Sequence, residues 1–297
     1  MMSFSLQFVL VLIGTFMIAL VLTPLVRLFS FKIDAVDYPN ARRINTKPMP
    51  SAGGLSIVIA FSIATLVFIP MLTSTAAPIK SYLSYTLPVV GAGWIIALTG
   101  LIDDVKELSA KKKMIGILLA ASLVWFLTDF RLNDFKIPFG GPLLHFEPWL
   151  SYLLTVIWIV SITNAVNLID GLDGLVSGVS IISLVTMGIV SYFFLPVPNL
   201  FLTMTIFVLV ASIAGFFPFN YHPAILYLGD TGSLFIGFMI SVLSLQGLKN
   251  STAVAVVTPM IILGVPITDT FLAIIRRTLS GQKFYKPDRN HLHHRLL

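Results

Sequence analysis

The sequence predicts an all-α fold, a polytopic integral membrane helix bundle with its polar chemistry in loops at one membrane face. Three observations predict it. Of the 297 residues, 57% are hydrophobic and only 11% charged, with a mean hydropathy of +0.94. A soluble domain carries roughly 25% charged residues, so this chain has too few to coat a water-soluble globule. The apolar residues gather into nine runs, most of them near the roughly 20 residues that cross a bilayer. The 19 Lys and Arg residues segregate to alternate connections between those runs. The same composition excludes disorder and disfavours a nucleic-acid-binding module. With no Cys, disulfides, thiolate metal sites and Cys nucleophiles are excluded as well.

The nine expected spans cover residues 5–29, 52–72, 84–102, 114–129, 148–166, 174–195, 200–218, 232–247 and 252–275. They read as helices because they are long and apolar all round, without the alternation of strands, and membrane strands are about half as long. Pro24, Pro88, Pro259 and Pro266 fall inside spans, where neighbouring helices re-satisfy the backbone. The last two predict a break in the ninth span. The opening MMSFSLQ has no Lys or Arg and the first apolar run exceeds a signal-peptide core, so that run is read as a retained span. Connections 30–51, 103–113, 167–173, 219–231 and 276–297, with Arg27, hold fifteen of the nineteen basic residues. The opposite set holds Lys80, Arg131, Lys136 and Lys249. The first set is therefore expected in the cytoplasm, with the N-terminus outside and the C-terminus inside. No internal repeat is visible, and one membrane-embedded domain over residues 1–297 is expected.

The carboxylates segregate to the same face, which topology does not require. Asp34, Asp37, Asp103, Asp104, Glu107, Asp170, Asp173, Asp230 and Asp288 all lie in the expected cytoplasmic connections. Charge at the mouth of an apolar bundle is costly unless something uses it; the plain alternative is helix caps and solvated loops.

Four clusters concentrate the chemistry. Asp103 and Asp104 point about 100° apart on a helix, so one is expected to face a site while the other starts the next segment. Asp104-x-x-Glu107 also has the form of an N-terminal capping box. Asn164, Asn167, Asp170 and Asp173 recur every three residues, a spacing that would align them on a helix, with Gly171 and Gly174 allowing the backbone to open. Their oxygens are hard ligands suited to Mg²⁺ or a polar substrate. In Asn220-Tyr-His222-Pro through Tyr227-Leu-Gly229-Asp230-Thr231-Gly232, Asp230 precedes an apolar helix, where it could cap the helix or share its N-terminus with an anion and a metal. The last cluster runs from Arg276 and Arg277 to His291, His293, His294 and Arg295, with donors for lipid headgroups or a diphosphate. Lys47 and its basic neighbours add cations near the first loop. Asp269, inside the ninth span, is expected to brace the break there. Hard-oxygen ligands, phosphate-binding cations and a membrane boundary suit phosphoryl transfer between a soluble phosphorylated donor and a lipid acceptor.

The motifs GLIDDVKEL, NAVNLIDGLDGL, YLGDTGSL, GVPITDT and HLHHR, in this order from about residue 40 onward, resemble the polyprenyl-phosphate N-acetylhexosamine-1-phosphate transferases. The resemblance implies transfer of N-acetylglucosamine-1-phosphate from UDP-N-acetylglucosamine to undecaprenyl or another polyprenyl phosphate, with Mg²⁺ (or Mn²⁺) and release of UMP. It implies Asn167 and Asp230 as metal ligands, and Asp103 and Asp104 as the catalytic acidic pair. Asp103 would accept the lipid phosphate proton or bind that group, and Asp170 would support the metal or diphosphate. Lys47, Asn164, Asp173, Asn220 and Tyr227 would line the nucleotide pocket. His291, His293, His294 and Arg295 would read the sugar, in the pattern of the N-acetylglucosamine branch. Direct attack by the lipid phosphate is expected over a covalent Asp intermediate. The cell membrane is the expected location, and a homodimer is one assembly open to it. Family members continue for at least one more span past the His motif, whereas this sequence stops at Leu297. The alternatives are the phospho-N-acetylmuramoyl-pentapeptide transferase and, from another class, a cation-coupled transporter. Against the transporter, the carboxylates sit at one face rather than at the midplane in paired repeats.

Overall fold

The computed structural model describes residues 4–39, 47–72, 76–136, 141–193 and 200–248. Helices occupy eight of the nine expected spans; the ninth, with Pro259, Pro266 and Asp269, lies outside the described residues. In chain order they are α1 (Phe4–Lys32), α2 (Gly54–Ile63) continued by α3 (Ile69–Leu72), α4 (Ala76–Lys106), α5 (Ala110–Leu127), α6 (Pro148–Leu168), α7 (Leu175–Phe193), α8 (Leu200–Asn220) and α9 (Gly229–Leu248). Among the described residues, six rods, counting Gly54–Leu72 as one, are long and apolar enough to cross a membrane. The fold is an all-α polytopic membrane bundle.

Leu, Ile, Val and Phe make these rods apolar on every side, and the helical ladder satisfies each backbone group without water. The hydroxyls inside them are satisfied locally. Thr15, Thr23 and Ser30 of α1 donate to the carbonyls of Val11, Ala19 and Val26 at 2.7, 2.7 and 2.9 Å. Pro24 and Pro88 lie within α1 and α4, which run through them. One irregularity was not anticipated: a π turn, Ala64–Phe68, joins α2 to α3. Pro70, just beyond it, has no N–H to give the ladder, and the turn widens immediately before that gap.

α9 is the axis of the bundle. It packs chiefly against α4 and α6, and its residues from Leu234 to Leu245 are buried. A helix apolar all round and wrapped by protein need not match the bilayer thickness. Trp158 of α6 donates its indole N–H to the Ser241 carbonyl at 3.2 Å and to Ser244 Oγ at 3.1 Å, fixing the register of the pair.

Two small antiparallel ribbons were also absent from the expected spans. β1 (Val36–Asp37) pairs with β2 (Met49–Pro50), and β3 (Asp134–Lys136) with β4 (Leu143–His145). They give partners to backbone groups of connections that no helix continues.

Two local expectations are corrected. Asp104 and Glu107 do not form an N-terminal capping box: α4 ends at Lys106, and Glu107 takes a left-handed φ of 47°, as residues just past a helix C-terminus do. The Asn164–Asp173 series does not stay on one helix face. α6 ends at Leu168, so Asn164 and Asn167 are helical while Asp170 and Asp173 lie in the turn that follows, before Gly174 at φ 71°.

Candidate active site

The C-termini of α4 and α6 and the N-termini of α5 and α9 meet at one end of the bundle. Close backbone approach makes this possible. Gly100 of α4 faces the Asp230 and Thr231 backbone with no room for a Cβ, and Gly229, at φ 71°, lies against the Ser51 carbonyl. The strap before α2 is stitched to the loop before α9. Tyr227 N–H donates to the Pro50 carbonyl at 2.9 Å, and Gly53 and Gly54 donate back to the carbonyls of Tyr227 and Leu228 at 3.0 and 2.9 Å.

Asp104 reaches across to the first turn of α9. Its carboxylate accepts the backbone N–H groups of Asp230 and Thr231 at 2.8 and 3.0 Å, and the Thr231 hydroxyl at 2.5 Å. A carboxylate here satisfies orphan donors and meets the positive end of the helix dipole. Asp103 turns the other way. Its Oδ1 accepts the Leu108 N–H at 2.5 Å, fixing the start of the next segment, and its Oδ2 is 2.6 Å from the Lys113 ammonium. The expectation that the acidic pair would diverge holds.

Lys113 also pairs with Asp230 Oδ2. The other Asp230 oxygen accepts the Asn167 amide N–H at 2.8 Å, and Asn167 donates to Ser233 Oγ at 2.8 Å as well. Asp170 adds a fourth carboxylate. Its burial, then the nearby charges of Asp230 and Asp37, push its carboxyl up to about 8.

The remaining expected residues lie on α6, α8 and the adjoining connections. Asp173 Oδ2 lies 3.0 Å from His222 Nδ1 and accepts the Ala224 N–H at 3.0 Å, holding the loop after α8. Asn220 is buried, accepts from Ser177 Oγ at 2.9 Å and donates to the Leu226 carbonyl at 3.3 Å. Asn164 donates back to the Val160 carbonyl at 2.7 Å. Lys47 is exposed, two residues before β2, and Tyr227 is half-buried in the stitched loop. His291, His293, His294 and Arg295 lie outside the described residues.

Lys113 was missed in the sequence. Lys111, Lys112 and Lys113 form a run that topology alone explains, and only one of the three reaches the cluster. No local signal singled it out: α4 ends at Lys106 and α5 starts at Ala110, so helical phase does not carry from Asp103 to Lys113.

The donor set suits a hard divalent cation. Among the described residues, no three His, Asp or Glu side chains stand close enough to form a metal site by themselves. Mg²⁺, however, retains waters and takes one or two carboxylates together with substrate phosphates. Asp230 and Asp103 already share one cationic partner, and Asn167 supplies a neighbouring carboxamide.

An apolar bundle with acidic and amide groups converging at its helix ends is the architecture of a polytopic membrane protein with a polar site. Residues 86–248 match the family model described as Glycosyl transferase family 4, and the chain belongs to that family. It is 42% identical to a Bacillus subtilis protein named "Probable undecaprenyl-phosphate N-acetylglucosaminyl 1-phosphate transferase", over 98% of this chain and 77% of the relative. It is 34% identical to a Mycolicibacterium smegmatis decaprenyl-phosphate N-acetylglucosaminephosphotransferase, over 92% of this chain and 71% of the relative. It is 28% identical to a Salmonella typhi undecaprenyl-phosphate alpha-N-acetylglucosaminyl 1-phosphate transferase, over 95% and 74% respectively. The chain is a transferase, and the transporter alternative is not favoured.

Proposed function

We propose that this chain transfers N-acetylglucosamine-1-phosphate from UDP-N-acetylglucosamine to undecaprenyl phosphate or a related polyprenyl phosphate, giving the polyprenyl-diphosphate sugar and UMP. The observation that carries the reading is the meeting of Asp103, Asp104, Asn167, Asp230 and Lys113 from four helix ends at one end of an apolar bundle. The relatives' printed names support the sugar and the acceptor. The basic loops on the same side support a cytoplasmic site in the cell membrane.

In the reaction, a lipid phosphate oxygen bonds to the β-phosphorus of the donor while the bond from that phosphorus to the bridging oxygen breaks, and UMP leaves. Asp230 and Asn167 would hold Mg²⁺ or Mn²⁺, which would neutralise diphosphate charge and orient the groups for in-line transfer. Asp103 takes the proton of the lipid phosphate. Asp104 holds the α9 N-terminus, and with it Asp230, in place. Asp170 supports the cation side. Lys47, Asn164, Asp173, Asn220 and Tyr227 frame the uridine end, and His291, His293, His294 and Arg295 read the sugar.

The test is UMP release by membranes containing the protein, with polyprenyl phosphate and a panel of UDP-N-acetylglucosamine, UDP-N-acetylgalactosamine and UDP-muramoyl-pentapeptide. UMP should appear with UDP-N-acetylglucosamine and depend on the lipid. Turnover of the pentapeptide donor alone, or none with any donor, would overturn the reading.

A further inference from the structure

Lys113 makes contacts that a surface lysine does not. Its side chain is 20% exposed and its two carboxylate partners are 12% and 24% exposed, whereas Lys111 and Lys112 are open to solvent. Its ammonium draws Asp103 of α4 and Asp230 of α9 together, so one charge offsets the repulsion of two. Asn167 completes the arrangement with its amide nitrogen, not its oxygen, toward Asp230. Both features matter for a divalent cation. It needs the Asp230 oxygen that Lys113 holds, and it needs the Asn167 oxygen rather than the N–H groups bound to Asp230 and Ser233.

We infer that Lys113 is a tethered competitor for the divalent cation: it holds Asp103 and Asp230 in register, yields Asp230 when the metal binds, and remains with Asp103. Metal uptake is then an exchange, in which the ammonium leaves Asp230 and the Asn167 carboxamide turns. The exchange keeps the acidic cluster compensated throughout, since unpaired carboxylates at an apolar helix junction are costly. It also makes Lys113 a positioning residue that weakens metal binding while preserving the shape of the site. This inference rests on the metal reading given above.

The experiment titrates the detergent-purified full chain with Mn²⁺, reading bound metal by electron paramagnetic resonance, without substrate. Lys113→Gln should bind Mn²⁺ about tenfold tighter than wild type, because a neighbouring positive charge has been removed. Lys113→Arg, which keeps the charge, should stay within a few-fold of wild type. In chelator, Lys113→Gln should melt below wild type, and Mn²⁺ should close that gap. A merely structural lysine would lower the melting temperature equally with and without Mn²⁺ and would not tighten binding. Unchanged or weaker Mn²⁺ binding in Lys113→Gln overturns the inference while leaving the metal reading intact; no Mn²⁺ binding by wild type overturns both. Should Lys113→Gln not fold, amine labelling of wild-type Lys113, read by peptide mass spectrometry, decides instead. Labelling several-fold faster with Mn²⁺ supports the exchange, and equal or slower labelling overturns it.

Discussion

At one end of α4, the carboxylates of Asp103 and Asp104 each engage a different chain segment, and Asp104 alone accepts from three donors of α9. Toward its other end, the hydroxyls of Tyr82, Tyr85 and Thr86 are buried close to one another. There the helix is held by rings: Tyr82 on Phe201 at 5.0 Å, Tyr82 on Tyr85 at 5.5 Å, Tyr85 on Phe130 at 5.4 Å between centroids. The contrast separates two ways of fixing a membrane helix. Ring packing is tolerant, because each contact is small and several share the load. The polar junction is specific, because its charged groups are mostly buried and solvent replaces a lost partner only in part. Function belongs at the second kind of junction, where groups are placed to a fraction of an ångström.

Substitutions can break this contrast in graded steps. Asp230→Ala removes the carboxylate shared by Lys113 and Asn167, and should cut turnover by at least about a thousandfold in a UMP-release assay while the protein still purifies as a folded species. Asp104→Ala leaves three donors of the α9 N-terminus unpaired and should lower stability by about 2 kcal/mol or more, measured by denaturant titration in detergent. Asp104→Asn should fall between that variant and wild type, since a carboxamide offers one acceptor oxygen where the carboxylate offers two.

A pH series sharpens the polar side further. Burial and the Asp230 charge push the Asp170 carboxyl up to about 8, and a divalent cation favours the ionised carboxylate. Mn²⁺ affinity should therefore rise with pH between 6 and 8, by up to about tenfold per unit. The slope should flatten in Asp170→Asn. The smallest effect is expected at the ring-packed end. Tyr85→Phe keeps the ring contacts and removes only a buried hydroxyl beside Thr86, so stability should change by less than about 1 kcal/mol and UMP release not at all.

The helices were legible because bilayer length and all-round apolarity are properties of a single segment. The same holds for Asp103, Asn167 and Asp230, whose residue types and positions at span ends announce a polar site. What could not be read was pairing across the chain. No local pattern marks Asp104 as the cap of a helix that begins 125 residues later at Gly229; the nearest local pattern, Asp104-x-x-Glu107, pointed to the wrong helix end. Lys113 was hidden by a run of like charges, because three adjacent lysines satisfy the topology rule whichever of them turns inward. The two ribbons depend on where connections end in space, which composition does not encode.

The central claim is that the cluster around Asp230 is where a UDP-sugar meets a lipid phosphate. Release of UMP from UDP-N-acetylglucosamine measures it most directly, in purified protein with polyprenyl phosphate, with Mg²⁺ or with excess chelator, for wild type and Asp230→Ala. The account predicts UMP only for wild type with lipid and Mg²⁺. Full activity in chelator, or in Asp230→Ala, would contradict it.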